Sequence, residues 1–85
     1  MISYLAAFRS RSQAIRLYDL LRASGYSARI VNTPREAGVG CGISVNFPSQ
    51  NFGSVRALLS RNNFTAFAGW FGIDSEIGKC IRINA

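Results

Sequence analysis

Cys41 is the residue of this 85-residue chain whose type and surroundings could do chemistry. It stands in the run Asn32-Thr33-Pro34-Arg35-Glu36-Ala37-Gly38-Val39-Gly40-Cys41-Gly42-Ile43, with glycine on either side. Neither Gly40 nor Gly42 has a side chain to block approach, and both accept positive φ. A sulfur nucleophile reacts as the thiolate, so it needs exposure and a positive potential. Arg35 lies in the same segment, and Arg9 and Arg11 follow the first apolar stretch of the chain. The remaining composition excludes most other chemistry. There is no histidine, which removes a Ser–His or Cys–His pair, a histidine general base and a histidine-rich metal site. Four carboxylates scattered along the chain argue against a two-carboxylate hydrolase. Cys41 and Cys80 cannot complete a four-ligand zinc site or build a disulfide framework. The expectation is a protein without metal, cofactor or self-contained catalytic constellation.

Elements that could position Cys41 are read from periodicity. Ile2 to Phe8 is predicted as a strand with Ile2, Tyr4, Ala6 and Phe8 on one side. Ser10 and Gln13 fit a capping box opening a helix, whose stripe is Ala14, Leu17, Tyr18 and Leu21. Gly25 is its stop. Tyr26 to Val31 is predicted as a second strand, with Tyr26, Ala28 and Ile30 alternating against Ser27 and Arg29. Asn32 to Gly40 is a loop punctuated by Pro34, Gly38 and Gly40. Cys41 to Phe47 is a third strand, with Ile43, Val45 and Phe47 opposite Gly42, Ser44 and Asn46. A second helix opens at Pro48-Ser49, buries Phe52, Val55, Leu58 and Leu59, and closes at Asn62-Asn63. Thr65 to Ile73 is a fourth strand in which Trp70 has opposite parity to Phe67 and Phe71. Cys80 to Asn84 is a candidate short extra strand.

The order β-α-β-β-α-β is the split βαβ pattern, so the expected fold is a ferredoxin-like α+β sandwich. It comprises a four-stranded antiparallel sheet in the order 4-1-3-2 with both helices on one face. Residues 1–73 form the domain and 74–85 a tail or extra edge strand. The predicted buried set includes Phe8, Leu17, Leu21, Ile30, Ile43, Val45, Phe52, Val55, Leu59 and Phe67. Right-handed crossovers put the loop between strands two and three at the end where the first helix starts. Cys41 is therefore expected near Arg9, Ser10 and Arg11, with guanidinium groups and a helix start favouring the thiolate. Cys80 is expected at the opposite end of the sheet, too far for a disulfide, whose Cα atoms must lie within about 7 Å.

Thr33-Pro34-Arg35, then Cys41-Gly42-Ile43 entering a strand, then Phe47-Pro48 before the second helix, resemble the selenium/sulfur carrier-like family of small proteins. The likeness covers most of the chain. It implies a non-enzymatic carrier that accepts persulfide or selenide on Cys41 from a donor such as a cysteine desulfurase. Thr33, Pro34, Arg35, Gly40, Gly42, Arg9 and Arg11 would shape the acceptor site. A carrier needs no general base of its own, so the lack of histidine is consistent with that role.

Other readings of the same residues are plainer. A cysteine at a strand start is by default a small buried hydrophobe. Thr33-Pro34-Arg35 is a turn by its own chemistry, whether or not it also binds. The net charge of +6 and pI near 10.4 suggest nucleic-acid binding as an alternative. Basic charge alone gives only salt-sensitive phosphate attraction. Gly42, Ser44 and Asn46 offer no aromatic platform of the kind RNA-recognition sheets use, so no specific nucleic acid is expected. A third reading is an interaction or regulatory module that homodimerises through an open sheet face of Ser3, Leu5, Ala7, Ala66, Ala68 and Trp70, or through the tail. The N-terminus lacks a basic leader and no apolar run spans a bilayer. A cytoplasmic protein with reduced thiols and no membrane contact is expected.

Overall fold

The mostly apolar run ISYLAAF forms β1 (Ile2–Phe8), the central strand of the sheet, with Tyr4, Ala6 and Phe8 packing on one face and Leu5 and Ala7 on the other. The computed structural model describes residues 2–38, 42–74 and 76–83. After β1 come α1 (Arg11–Ala23), β2 (Arg29–Asn32), a 3-10 turn (Arg35–Ala37) and β3 (Ile43–Pro48). A second 3-10 turn (Ser49–Asn51), α2 (Phe52–Arg61), β4 (Phe67–Asp74) and β5 (Lys79–Ile83) follow. The architecture is α+β: two helices and one five-stranded antiparallel sheet in the order β2-β3-β1-β4-β5. The fifth strand extends the expected four-stranded sheet beyond β4.

Both helices cover the same face. Ala14, Leu17 and Leu21 of α1 and Val55 of α2 share one buried cluster with Ala6, Phe8, Ile43, Val45, Phe47 and Trp70. Phe52, Leu58, Leu59 and Phe67 pack on its margin rather than inside it. The helix ends follow from local chemistry. Ser10 caps α1, its hydroxyl accepting from the Gln13 amide at 3.3 Å. The reciprocal half of the expected capping box is absent, because the Gln13 side chain leaves its own helix. Its Nε2 donates to Thr65 Oγ1 at 2.9 Å and its Oε1 accepts from the Ala66 amide at 2.8 Å. Gly25, at a φ of +85°, ends the helix. Tyr26 N–H bonds back to the Leu21 carbonyl and Gly25 N–H to that of Arg22.

Three expectations need correcting. β2 begins at Arg29, not Tyr26, and Ile30 is 38% exposed because β2 is an edge strand with no neighbour beyond it. Trp70 does not oppose Phe67; both pack in the cluster beneath the helices, while Phe71 turns to the other face. The cause is a bulge. Ala7 pairs with Gly69 and Phe8 with Phe67, so Ala68 is extra and strict alternation breaks there. Finally, the second sheet face is not open. Leu5, Ala7, Ala68 and Phe71 form a buried cluster, against which Val31, Ala37, Ile73 and Cys80 pack. The turn Arg35–Ala37 lies against β5, so the segment leaving β2 crosses the sheet to its far edge. The surface expected to pair two copies is therefore largely covered within one chain.

Candidate functional site

The segment from Thr33 to Gly42 is held at both ends. Thr33 N–H donates to the Gly42 carbonyl at 2.9 Å, closing the base of the loop where β2 ends and β3 begins. The Thr33 and Ser44 hydroxyls lie 2.6 Å apart, and Ser44 is fully buried. Pro34, with φ of −59° and ψ of 144°, sets the chain for the 3-10 turn, and its carbonyl accepts from Ala37 N–H at 3.0 Å. Arg35 is the first residue of that turn and is exposed. Gly38 closes the turn at a φ of +63°, and Gly42 enters β3 at +96°, a conformation that residues with a Cβ rarely adopt. Gly40 and Cys41, the centre of the expected site, lie outside the described residues.

Sheet register relates this segment to the expected arginines. Ala7 pairs with Ser44, so Gly42, two residues earlier, leads in at the end of the sheet where β1 gives way to Arg9. Arg9 donates from Nη1 to the Phe67 carbonyl at 3.3 Å. Arg11 is the first residue of α1 and is exposed. The end of the sheet that receives Gly42 thus also holds the start of α1. Cys80 sits opposite Ile73, which pairs with Ser3, and Ser3 pairs with Pro48 at the other end of β3. It is half-buried against the Leu5–Phe71 cluster. Whether Cys41 can reach Cys80 involves a residue outside those described.

Thr33 matters to the fold whatever else it does. Thr33→Val strands the buried Ser44 hydroxyl without its partner and is expected to cost about 1–3 kcal/mol. Ser44→Ala leaves the half-buried Thr33 hydroxyl able to reach water and should cost about 1 kcal/mol or less. Urea denaturation of the two single variants and the double variant checks this, the double being expected to resemble S44A.

Among the described residues no group of His, Cys, Asp and Glu could hold a metal ion. A groove of about 740 Å³, which the sequence reading did not anticipate, lies at the Pro48 end of β3. Arg22, Ser27, Arg29, Asn46 and Ser49 are among its lining residues.

The fold and loop together define a small α+β protein that carries a glycine-flanked cysteine between two strands of its sheet. The chain belongs to the family described as "Putative Se/S carrier protein-like", whose model matches residues 3–68. That span includes Thr33-Pro34-Arg35 and Cys41-Gly42 and stops within β4, before β5. No curated protein and no solved structure matches the chain.

Proposed function

We propose that this protein is a non-enzymatic sulfur or selenium carrier of ferredoxin-like architecture extended by one edge strand, with Cys41 as the acceptor. The observation that carries the reading is the family match over residues 3–68, which contains Cys41 and its flanking motifs. In the sulfur case Cys41 loses its proton to water and the thiolate attacks the outer sulfur of a persulfide on a donor enzyme. The donor's S–S bond breaks, its cysteine leaves as a thiolate, and a persulfide forms on Cys41. The sulfane sulfur keeps its oxidation level, so no outside electrons are required. The Thr33-to-Gly42 bond and the turn that Pro34 sets support the reading by fixing both ends of the cysteine segment. Such a thiol works in a reducing compartment, and we place the protein in the cytoplasm with a cysteine desulfurase as its donor class.

Incubation with a desulfurase and cysteine, followed by peptide mass spectrometry, tests this. One added sulfur atom is expected on Cys41, lost in Cys41→Ser and retained in Cys80→Ser. Absence of loading, or equal loading at Cys80, sinks the reading.

A further inference from the structure

The groove at the Pro48 end of β3 lies at the opposite end of that strand from Gly42, and the carrier reading makes no use of it. Its volume of about 740 Å³ falls within the roughly 300–1,000 Å³ usual for small-molecule sites. Three parts of the chain meet there. The last turn of α1 supplies Arg22, the approach to β2 supplies Ser27, Ala28 and Arg29, and the end of β3 supplies Asn46 and Phe47.

Charge and register give the groove its character. Two arginines line it, and no carboxylate is among its described lining residues. Asp19, one turn before Arg22 on α1, is exposed and outside the lining. Among the described residues neither guanidinium has a carboxylate partner. Arg29 pairs with Asn46, and both have opposite parity to Ala28 and Phe47, which are buried in the helix-side cluster. Arg29 therefore comes to the groove from the sheet face away from the helices, and Arg22 from the helix layer. Polar groups stand between them. Asn46 donates from Nδ2 to Ser3 Oγ at 3.0 Å and to the Tyr4 carbonyl at 3.1 Å. Ser3, accepting that bond, keeps its own proton for another acceptor. Ser27 and Ser49 are exposed and bring two more hydroxyls.

We propose that this groove binds a small organic phosphate monoester. Its phosphate sits between Arg22 and Arg29, and its organic part lies against Phe47, Ala28 and Pro48. A phosphate monoester carries about −1.5 to −2 charge at pH 7, which two guanidinium groups offset. A lone carboxylate would leave one arginine unmatched. Guanidinium forks and hydroxyl donors suit the three free oxygens of the phosphate. Inorganic phosphate would leave the apolar wall and most of the volume unused. The proposal involves neither cysteine, so it stands or falls apart from sulfur carriage.

The test is a titration with phenyl phosphate at 150 mM salt, followed by amide ¹H–¹⁵N NMR. Phenol, inorganic phosphate, benzoate and a single-stranded oligonucleotide are titrated in parallel. Phenyl phosphate is expected to produce saturable shifts at Ser27, Arg29, Asn46 and Ser49, with a dissociation constant on the order of 1 mM or below. Inorganic phosphate should bind at least tenfold more weakly, and phenol should leave these amides unmoved. R22A and R29A should each weaken phenyl phosphate about tenfold, because charged hydrogen bonds are lost. R22K and R29K keep the charge without the fork and should fall between. R56A removes an exposed arginine of α2 outside the groove and should bind as the wild type does. Unmoved resonances of Val45 and Leu17 check that each variant keeps its fold. Wild-type binding in either R22A or R29A overturns the proposal, as does an equal loss in R56A, which would mean diffuse attraction to net charge. Absence of saturable shifts, or an equal response to phenol, also sinks it. Tighter binding of benzoate would make the groove a carboxylate site, and tighter binding of the oligonucleotide a nucleic-acid contact, and either result replaces the phosphate monoester.

Discussion

Trp70→Ala is expected to destabilise the protein by about 3–5 kcal/mol, the range for emptying a buried aromatic site. The ring is 5% exposed and is enclosed by Phe67, Phe52 and Phe47, with centroids at 4.8, 5.0 and 6.1 Å. Two of these contacts are edge-on, the arrangement aromatic quadrupoles favour. Small domains are stable by about 5–15 kcal/mol, so the variant should be near its unfolding threshold at room temperature. Urea denaturation followed by far-ultraviolet circular dichroism measures the loss, since the only tryptophan is the one removed. Trp70→Phe keeps most of the ring and should cost appreciably less. If Trp70 instead lay on an open, solvent-facing surface of the sheet, the alanine variant would change stability by about 0.5 kcal/mol or less, as exposed positions do.

The parity of Trp70 marks where local pattern stops being informative. The stripe Ala14, Leu17 and Leu21 was legible because a helix repeats every 3.6 residues and Gly25 ends it. The faces of β1 and β3 were legible because nothing interrupts their alternation. β4 contains an extra residue, and one inserted position reverses every face beyond it. The only local sign was Gly69 within an aromatic strand, since strand glycines often mark bulges. Ile30 misled for a different reason. Its alternation is correct, as it pairs with Val45, but whether an inward residue is buried depends on having a neighbour strand beyond it.

Legibility of the candidate site divides in the same way. Thr33 and Pro34 were singled out as local turn chemistry and Gly42 as a glycine that accepts positive φ, and the structure gives each of them a bond or backbone angle that closes the loop. The crossing of that loop over Leu5, Ala7, Ala68 and Phe71 had no local signal, because it joins the two ends of the sheet order. Arg82 escaped notice for the same reason. Its guanidinium lies against Gly69 and donates to the Ala68 carbonyl, 14 residues earlier in the chain, and arginine in an exposed edge strand is otherwise unremarkable.

Truncation after Asp74 should therefore be costly, although the residues removed all lie outside the family match. β5 pairs with β4 at five positions from Trp70 to Asp74. It also places Ile83 against the helix-side cluster and Cys80 against the other. Ladder hydrogen bonds contribute about 1 kcal/mol each, so the loss should be on the order of 3–5 kcal/mol before the uncovered side chains are counted. The loop should respond as well, since the turn Arg35–Ala37 packs on the strand that is gone. Hydrogen exchange at Ala37 and Gly38, whose amides bond to the Pro34 and Arg35 carbonyls, is expected to quicken in the truncated chain. Exchange at Val45, in the pairing between β2 and β3, should change only as much as global stability does. Unchanged urea midpoint and unchanged exchange at Ala37 would mean that residues 2–74 hold the loop without β5. The wall that β5 provides would then be an appendage, and the loop's order would have to come from Thr33, Pro34 and Gly42 alone.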